Sequence, residues 1–191
     1  TLQEGVERGK VTEAERDATL DRIDGTTGLA DAVADADLVV EAVPEDLDLK
    51  REVFEEVEAA APADAVLATN TSSIPVTGIA NVLDRPGRAV GLHFFNPVHL
   101  MGLVEVVVGE RTSESTRAFA ESFVEDVDRT AVVVRDSPGF ASSRLGVALG
   151  AEAMRMVEED VADPRDVDAA MELGYNHPMG PLELTDVVGL D

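Results

Sequence analysis

The chain has 191 residues, 45% of them hydrophobic, and its 39 acidic residues against 15 basic ones give a formal net charge of −24. A surface this negative repels nucleic acid and anionic membranes, and no apolar run approaches the ~18 residues of a membrane span, so neither is an expected partner. The absence of cysteine excludes disulfides and cysteine-based metal sites and is typical of cytoplasmic proteins.

The first predicted elements are a helix, a strand and a second helix. Thr12 and Glu15 have the spacing of a capping box, which predicts a helix over residues 12–23. The nearly continuous apolar run of residues 38–43 is typical of a strand buried on both faces. Apolar residues then recur at helical spacing and predict a helix that carries Leu49, Val53, Val57 and Ala61.

Further strands are predicted along the next part of the chain, with a helix between the last two. The strands cover residues 65–68, 89–92, 103–108 and 131–134, and the helix covers residues 115–127. Strands separated by helical segments favour parallel pairing and right-handed crossovers in an open α/β sheet.

The pattern changes at Ser137-Pro138-Gly139-Phe140, after which only helical spacing is found. One long helix carries Leu145, Leu149, Ala153, Met156 and Val157. Asp163-Pro164 supplies an N-cap and a first helical residue for the next helix, and Gly174 is the expected end of that helix. The sequence therefore predicts an α/β domain over residues 1–136 and an all-helical C-terminal domain over residues 137–191.

Three polar clusters follow predicted strands directly: residues 41–45, residues 70–73 and residues 93–96. In open α/β sheets, ligands bind beyond the carboxyl ends of the strands, so we expect the three clusters to share one binding cleft. His93 lies between Leu92 and Phe94-Phe95, which predicts a partly dry site around its imidazole ring.

Glu105 interrupts the apolar strand of residues 103–108. A buried acid is costly unless it has a partner, and a histidine oriented by a carboxylate is a common general-base arrangement. We therefore expect Glu105 to pair with His93, although Glu105 could instead face solvent from an edge strand. His99 and His177 have no comparable setting, and no spacing indicates a metal site.

Taken together, these motifs resemble those of the 3-hydroxyacyl-CoA dehydrogenase family. They appear in the family's order and cover nearly the whole chain. They are the run Asp37–Glu45, Asn70-Thr71-Ser72-Ser73, the run Gly91–Pro97, Leu103-Val104-Glu105-Val106, the run Asp136–Phe140, Pro178-Met179-Gly180-Pro181 and Val188-Gly189-Leu190-Asp191.

The resemblance implies NAD-dependent oxidation of a (3S)-3-hydroxyacyl-CoA to a 3-oxoacyl-CoA, as in fatty-acid beta-oxidation, by a cytoplasmic homodimer that pairs through its helical domains. The implied general base is His93, oriented by Glu105. The resemblance also implies that Ser72 contacts the substrate oxygen and the cofactor, and that Asn96 places the reacting carbon and the nicotinamide. It implies that Glu45 and Lys50 contact the nicotinamide-ribose side of NAD.

The sequence departs from the family's pattern in two respects. The glycine-rich turn after the first strand and the acidic residue for the adenosine ribose are absent. We therefore expect a fragment, with a partial NAD-binding domain and an incomplete Rossmann-like doubly wound sheet. Ser143 stands where the family commonly has an asparagine that contacts substrate, and Arg8 and Lys10 stand where the family presents basic residues to coenzyme A.

Two other functions are compatible with the same scaffold. One is dehydrogenation of another hydroxy acid, as in gulonate-type enzymes, although the double phenylalanine Phe94-Phe95 favours the acyl-CoA branch. The other is a non-catalytic role of the crystallin kind, against which the intact Ser72, His93 and Glu105 argue.

The acidic residues are dispersed among apolar ones, whereas lysine occurs only at Lys10 and Lys50. Dispersed charge does not indicate a disordered acidic tail. It predicts a salt-tolerant surface of the kind found in cytoplasmic proteins of salt-loving microbes, with an ordinary acidic cytosolic protein as the alternative.

Overall fold

A single sheet of five strands occupies the first two thirds of the computed structural model, which describes residues 1–189. The end of the motif Val188-Gly189-Leu190-Asp191, residues 190 and 191, lies outside the described residues. The strands lie side by side in chain order: β1 (Leu38–Glu41), β2 (Val66–Thr69), β3 (Ala89–Phe94), β4 (Leu103–Val108) and β5 (Thr130–Arg135). The first three are parallel, so their carboxyl ends meet at one edge of the sheet.

The fourth strand departs from the parallel pairing that the alternation of strands and helices favours. β4 runs antiparallel to β3, and β5 is parallel to β4. The physical reason is that residues 95–102 join β3 to β4 without a helix, and a parallel connection needs a crossover of a dozen or more residues. The sheet is therefore mixed, and the antiparallel register places His93 directly opposite Glu105.

Nine helices are found within residues 1–189: α1 (Leu2–Glu7), α2 (Glu13–Leu20), α3 (Leu29–Val33), α4 (Leu47–Ala60), α5 (Val76–Ala80), α6 (Glu114–Asp126), α7 (Ser142–Glu158), α8 (Pro164–Tyr175) and α9 (Pro181–Val188), with a short 3-10 helix over Pro86–Arg88. The predicted capping box at Thr12 is confirmed. Gly174 does not end its helix, because α8 continues to Tyr175 and Asn176 adopts the left-handed conformation that stops it.

Helices cover both faces of the sheet, which confirms the incomplete doubly wound α/β architecture. On one face Phe54 of α4 and Ile79 of α5 pack with Leu67 and Ala89. On the other face Val124 of α6 packs with strand residues that include Val90, Leu92, Val104 and Val106. The core therefore lies between the sheet and the helices on both of its faces, and it fixes the strand ends that carry the polar clusters.

The last three helices pack on one another and form the predicted helical domain. Gly150 of α7 lies so close to α9 that a side chain there would meet the Thr185 hydroxyl at 2.5 Å. The Asp168 carboxylate of α8 accepts hydrogen bonds from the backbone N–H groups of Leu182 (2.8 Å) and Glu183 (3.2 Å) at the start of α9. None of the helices within residues 1–189 has the length and apolar character required to cross a membrane.

Candidate active site

His93 and Glu105 form a buried pair across the antiparallel strands β3 and β4. Nδ1 of His93 lies 2.8 Å from Oε2 of Glu105, and the two side chains are 6% and 1% exposed. Glu105 therefore does not face solvent, and the alternative that placed it there is wrong. Because Nδ1 is engaged, Nε2 is the ring atom that can exchange a proton, and within residues 1–189 it has no hydrogen-bond partner.

Glu105 also binds the start of helix α7. Its Oε1 atom accepts hydrogen bonds from the backbone N–H groups of Ala141 (3.1 Å) and Ser142 (2.9 Å), and its Oε2 atom accepts one from the Ser142 hydroxyl (2.8 Å). Burial by itself raises the pKa of Glu105, but the hydrogen bonds from His93, Ser142 and Ala141 hold it below its ordinary value of 4.5. The carboxylate therefore stays ionised in a site with almost no solvent contact.

The turn before α7 explains how these donors reach Glu105. Gly139 and Phe140 both have positive φ angles, 72° and 51°, and a phenylalanine in the left-handed region is held there by its surroundings. The Phe140 side chain is buried against Val76 and Val107. Its ring centroid lies 5.7 Å from that of His93, and the Phe95 ring lies at 4.4 Å. The predicted partly dry surroundings of His93 are thus made by two aromatic rings.

A second carboxylate, that of Glu45, is held at the end of β2. Glu45 Oε1 accepts hydrogen bonds from the backbone N–H groups of Ser72 (3.0 Å) and Ser73 (3.2 Å) and from the Thr71 hydroxyl. Burial raises the pKa of Glu45, but these hydrogen bonds and the positive charge of Lys50 outweigh it, so the net pKa is lowered. The clusters after β1 and β2 therefore touch each other, as the expectation of a shared cleft requires.

Lys50 was expected to contact the nicotinamide-ribose side of NAD, but its side chain is buried and only 1% exposed. Its Nζ atom donates to Glu41 Oε1 (2.8 Å) and to the Val43 carbonyl (3.1 Å), and lies 3.4 Å from Glu45 Oε2. Glu41 also accepts hydrogen bonds from the Thr69 hydroxyl (2.7 Å) and the Val43 N–H (2.6 Å). Lys50 therefore presents its ammonium group to two carboxylates rather than to the surface.

Three further predicted residues follow the strands or begin the helical domain. Ser72 and Asn96 are exposed at the ends of β2 and β3, and Ser143 is half-buried in the first turn of α7. Arg8 ends α1 and Lys10 precedes α2; both are exposed, and neither forms a hydrogen bond or ion pair with the described site residues.

Asn70 was not singled out from the sequence as a site residue. Its Oδ1 atom accepts a hydrogen bond from the Phe94 N–H (2.9 Å), and its own N–H donates to the Glu41 carbonyl (2.8 Å). Asn70 thus ties together the ends of β1, β2 and β3. Its place directly after a fully buried strand was the only signal available in the sequence.

The exposed groups at the strand ends suit a ligand that carries amide and hydroxyl groups, as the nicotinamide-ribose end of NAD does. Glu45, Ser72 and Asn96 supply the acceptors and donors. A phosphate-binding helix start is not offered by α4, because the Asp46 side chain already accepts from the N–H groups of Asp48 and Leu49. Within residues 1–189, no group of three or more histidine or acidic side chains could hold a metal ion.

Comparison with known proteins gives matches over the whole chain. Residues 1–137 match the family described as 3-hydroxyacyl-CoA dehydrogenase, NAD binding domain, and residues 139–191 match the C-terminal domain of the same family. A probable 3-hydroxybutyryl-CoA dehydrogenase of Bacillus subtilis is 45% identical over 190 residues, which are 100% of this chain and 66% of the relative.

Two crystal structures are similar to the fold described above. Mycobacterium tuberculosis FadB2 superposes with a TM-score of 0.93 at 45% identity, and (S)-3-hydroxybutyryl-CoA dehydrogenase PaaH1 from Ralstonia eutropha superposes with a TM-score of 0.93 at 39% identity. Each match covers 98% of this chain and 66% of the solved chain. The chain thus spans just under two thirds of the length of these relatives.

Proposed function

This chain belongs to the 3-hydroxyacyl-CoA dehydrogenase family, and we propose that the protein containing it oxidises (3S)-3-hydroxyacyl-CoA to 3-oxoacyl-CoA with NAD. The observation that carries the proposal is the buried hydrogen bond between His93 Nδ1 and Glu105 Oε2 at the strand ends that also present Ser72 and Asn96. The names of the relatives, which include 3-hydroxybutyryl-CoA dehydrogenases, support the same substrate class.

In this mechanism Nε2 of His93 accepts the proton of the substrate 3-hydroxyl. The imidazolium that forms keeps its Nδ1–H bound to the Glu105 carboxylate, whose negative charge stabilises it. The Ser72 hydroxyl donates a hydrogen bond to the same substrate oxygen and stabilises its developing charge. Glu45, Ser72 and Asn96 would hold NAD, which would supply the acceptor for the hydride of C3. C3 thereby becomes the carbonyl carbon of a ketone, and the proton of the former hydroxyl group is on His93.

The proposed cofactor contacts come from the exposed groups around this pair. The Glu45 carboxylate accepts hydrogen bonds from the ribose hydroxyls, and the Asn96 amide and Ser72 contact the nicotinamide side. Lys50 contributes by holding Glu45 in place, since its ammonium group lies between Glu41 and Glu45. A pyrophosphate site is not part of this proposal, because the described residues fit only the nicotinamide-ribose end.

The proposed domain boundary lies between residues 136 and 137. Strand β5 ends at Arg135 and helix α7 begins at Ser142, and the turn between them brings the helical domain to Glu105. We place Ser143 at the substrate, directly or through water, because it lies in the first turn of α7 next to the pair. Arg8 and Lys10 are proposed to contact coenzyme A phosphates.

A homodimer is the proposed assembly, in a cytoplasmic location. The helical domain exposes several large apolar side chains, which a partner subunit would cover: Leu145, Val147, Leu173, Tyr175, Val187 and Val188. Light scattering of the full-length protein in high salt tests this arrangement. A mass of two subunits is expected, and a monomer mass would overturn it.

One assay separates the proposed activity from the two alternatives. The full-length protein is mixed with NADH and acetoacetyl-CoA, or with NAD and gulonate, and NADH absorbance is followed. We expect turnover of acetoacetyl-CoA and little of gulonate. Turnover of gulonate alone would favour the other hydroxy-acid enzyme, and no turnover of either would favour a crystallin-like role. His93→Gln is the control, because it should abolish the acetoacetyl-CoA rate and leave the fold intact.

A further inference from the structure

Ser142 contacts the His93–Glu105 pair from helix α7, and the mechanism proposed above gives it no role. It is the first residue of α7, and its hydroxyl donates to Glu105 Oε2 at 2.8 Å. That oxygen is the one that binds Nδ1 of His93, also at 2.8 Å. We propose that Ser142 is a positioning residue, whose hydroxyl orients the Glu105 carboxylate and limits how strongly it holds a proton on His93.

The carboxylate of Glu105 has one donor for each of its four lone-pair positions. Two backbone N–H groups, those of Ala141 and Ser142, bind Oε1, and the Ser142 hydroxyl and His93 bind Oε2. Any residue type except proline at these two positions would supply the backbone donors. Only serine or threonine at position 142 supplies the hydroxyl, so the side chain makes a contribution separate from the turn itself.

The hydroxyl shares Oε2 with the imidazole ring, and this sharing sets the direction of its effect. Each donor withdraws electron density from the oxygen and weakens the other hydrogen bond. Without the hydroxyl, Oε2 would interact with His93 alone, so the positively charged imidazolium would be held more tightly. His93 would then remain protonated to a higher pH, and the fraction able to act as a base at a given pH would fall.

The test replaces Ser142 with alanine, a substitution compatible with the first turn of a helix. Ring nitrogen resonances of His93 are followed by NMR against pH in the full-length protein, with the His93→Gln variant identifying the signal. The midpoint should rise by roughly half to one pH unit, the size expected for the net contribution of one ordinary hydrogen bond. The acidic limb of the rate profile should move up by the same amount, and kcat at the plateau should fall by less than about tenfold.

Two matched variants distinguish positioning from a general loss of structure. Ser142→Thr keeps the hydroxyl and should restore the wild-type midpoint. Ser143→Ala removes the neighbouring hydroxyl, which has no hydrogen bond to Glu105, and should alter KM for the acyl substrate without moving the midpoint. A midpoint that stays unchanged or falls in Ser142→Ala overturns the proposal, as does a threonine variant that behaves like alanine.

The shift expected in the pH-rate profile rests on the proposed function, whereas the NMR midpoint of His93 can be measured without any activity. If the protein failed to oxidise 3-hydroxyacyl-CoA, the midpoint shift would still report whether Ser142 acts on the His93–Glu105 pair. If the activity were present and the midpoint did not move, the proposed function would stand and the role of Ser142 would be wrong.

Discussion

Glu41 and Glu105 are both almost completely buried, yet they are stabilised in different ways. Glu41, at the end of β1, is 4% exposed and binds the ammonium group of Lys50. Glu105, in β4, is 1% exposed and binds His93, Ser142 and the N–H of Ala141. One carboxylate is paired with a lysine, and the other is held by an imidazole and by neutral donors.

This difference distinguishes the Glu41–Lys50 pair, which stabilises the structure, from the Glu105–His93 pair, which can take part in proton transfer. A carboxylate bound to an ammonium group has its charge neutralised, so the pair fixes the geometry of the strand end. A carboxylate held by neutral donors keeps its negative charge, which is then available to stabilise an imidazolium when the adjacent histidine takes up a proton. The two buried acids therefore predict different losses on mutation, activity for Glu105 and stability for Glu41.

The largest effect is expected at Glu105. In Glu105→Gln the two N–H groups on the Oε1 side hold the amide oxygen, so the amide nitrogen faces His93 Nδ1 and donates to it. The ring proton is then forced onto Nε2, the atom that we propose accepts the substrate proton. We expect kcat of the full-length enzyme to fall by ~10²–10⁴-fold, the range for general-base defects, with little change in NAD affinity and an acidic limb at lower pH.

The double variant decides whether the two residues act as a unit. His93→Ala should lower kcat at least as much as Glu105→Gln, and combining them should add little. Steady-state rates of the two single variants and the double variant provide the measurement. A near-normal Glu105→Gln rate, or losses that simply multiply, would show that Glu105 does not act through His93.

The next largest effect is on stability at the other carboxylate. Glu41→Gln removes the 2.8 Å ion pair of the buried Lys50 ammonium and leaves the half-exposed Glu45 carboxylate, at 3.4 Å, as its remaining charged partner, so the loss of unfolding free energy should reach at most about 3–5 kcal/mol. Urea denaturation measures the loss. Adding Lys50→Met should recover part of it, because no unpaired charge then remains.

A surface pair is the matched control for that loss. Glu152 and Arg155 form an exposed ion pair on α7, with side chains 64% and 59% exposed. Glu152→Gln should change the unfolding free energy by less than ~1 kcal/mol. Equal losses in Glu41→Gln and Glu152→Gln would remove the distinction between the buried and the exposed pair.

The strands and the His93–Glu105 pair could be predicted from the sequence because their signals are local. Buried strands appear as apolar runs, and a single acid within such a run, Glu105, indicates that a partner must be present. The short helices α1, α3 and α5, of five or six residues, give too few turns for a period to be recognised.

The remaining features depend on contacts between distant parts of the chain. Lys50 of α4 is buried where its ammonium group meets Glu41 at the end of β1, and the hydroxyl of Ser142 reaches Glu105 across 37 residues. A lysine or a serine in the sequence does not indicate a buried contact of this kind, because both residue types are mostly exposed in folded proteins. Strand β4 is antiparallel because the connection over residues 95–102 is short. The alternation of strands and helices along the sequence does not take the length of that connection into account.

A smaller effect is expected from acid. The pKa values of Glu45 and Glu105 are lowered in the folded chain, so each contributes stability above its ordinary value of 4.5 that is lost as pH falls through the lower folded value. Urea denaturation between about pH 5 and pH 3 should therefore show falling stability. Glu45→Gln should make that fall shallower. An unchanged slope in the variant would mean that Glu45 does not contribute to the acid sensitivity.

The smallest effect per charged group is expected from salt. Added salt should stabilise the exposed carboxylates and leave the buried Glu41–Lys50 pair almost unchanged. The net charge of −24 makes exposed carboxylates repel one another across a Debye length of ~30 Å at 0.01 M salt, which shrinks to ~3 Å at 1 M. The melting temperature and activity of the full-length protein should therefore rise as KCl approaches molar concentrations. The stability lost in Glu41→Gln should stay nearly constant over the same range, because solvent ions do not reach a side chain that is 1% exposed. A melting temperature that is flat or falling with KCl would contradict the prediction of a salt-adapted surface, whereas a Glu41→Gln penalty that vanished in salt would mean that the Lys50 pair is accessible to solvent.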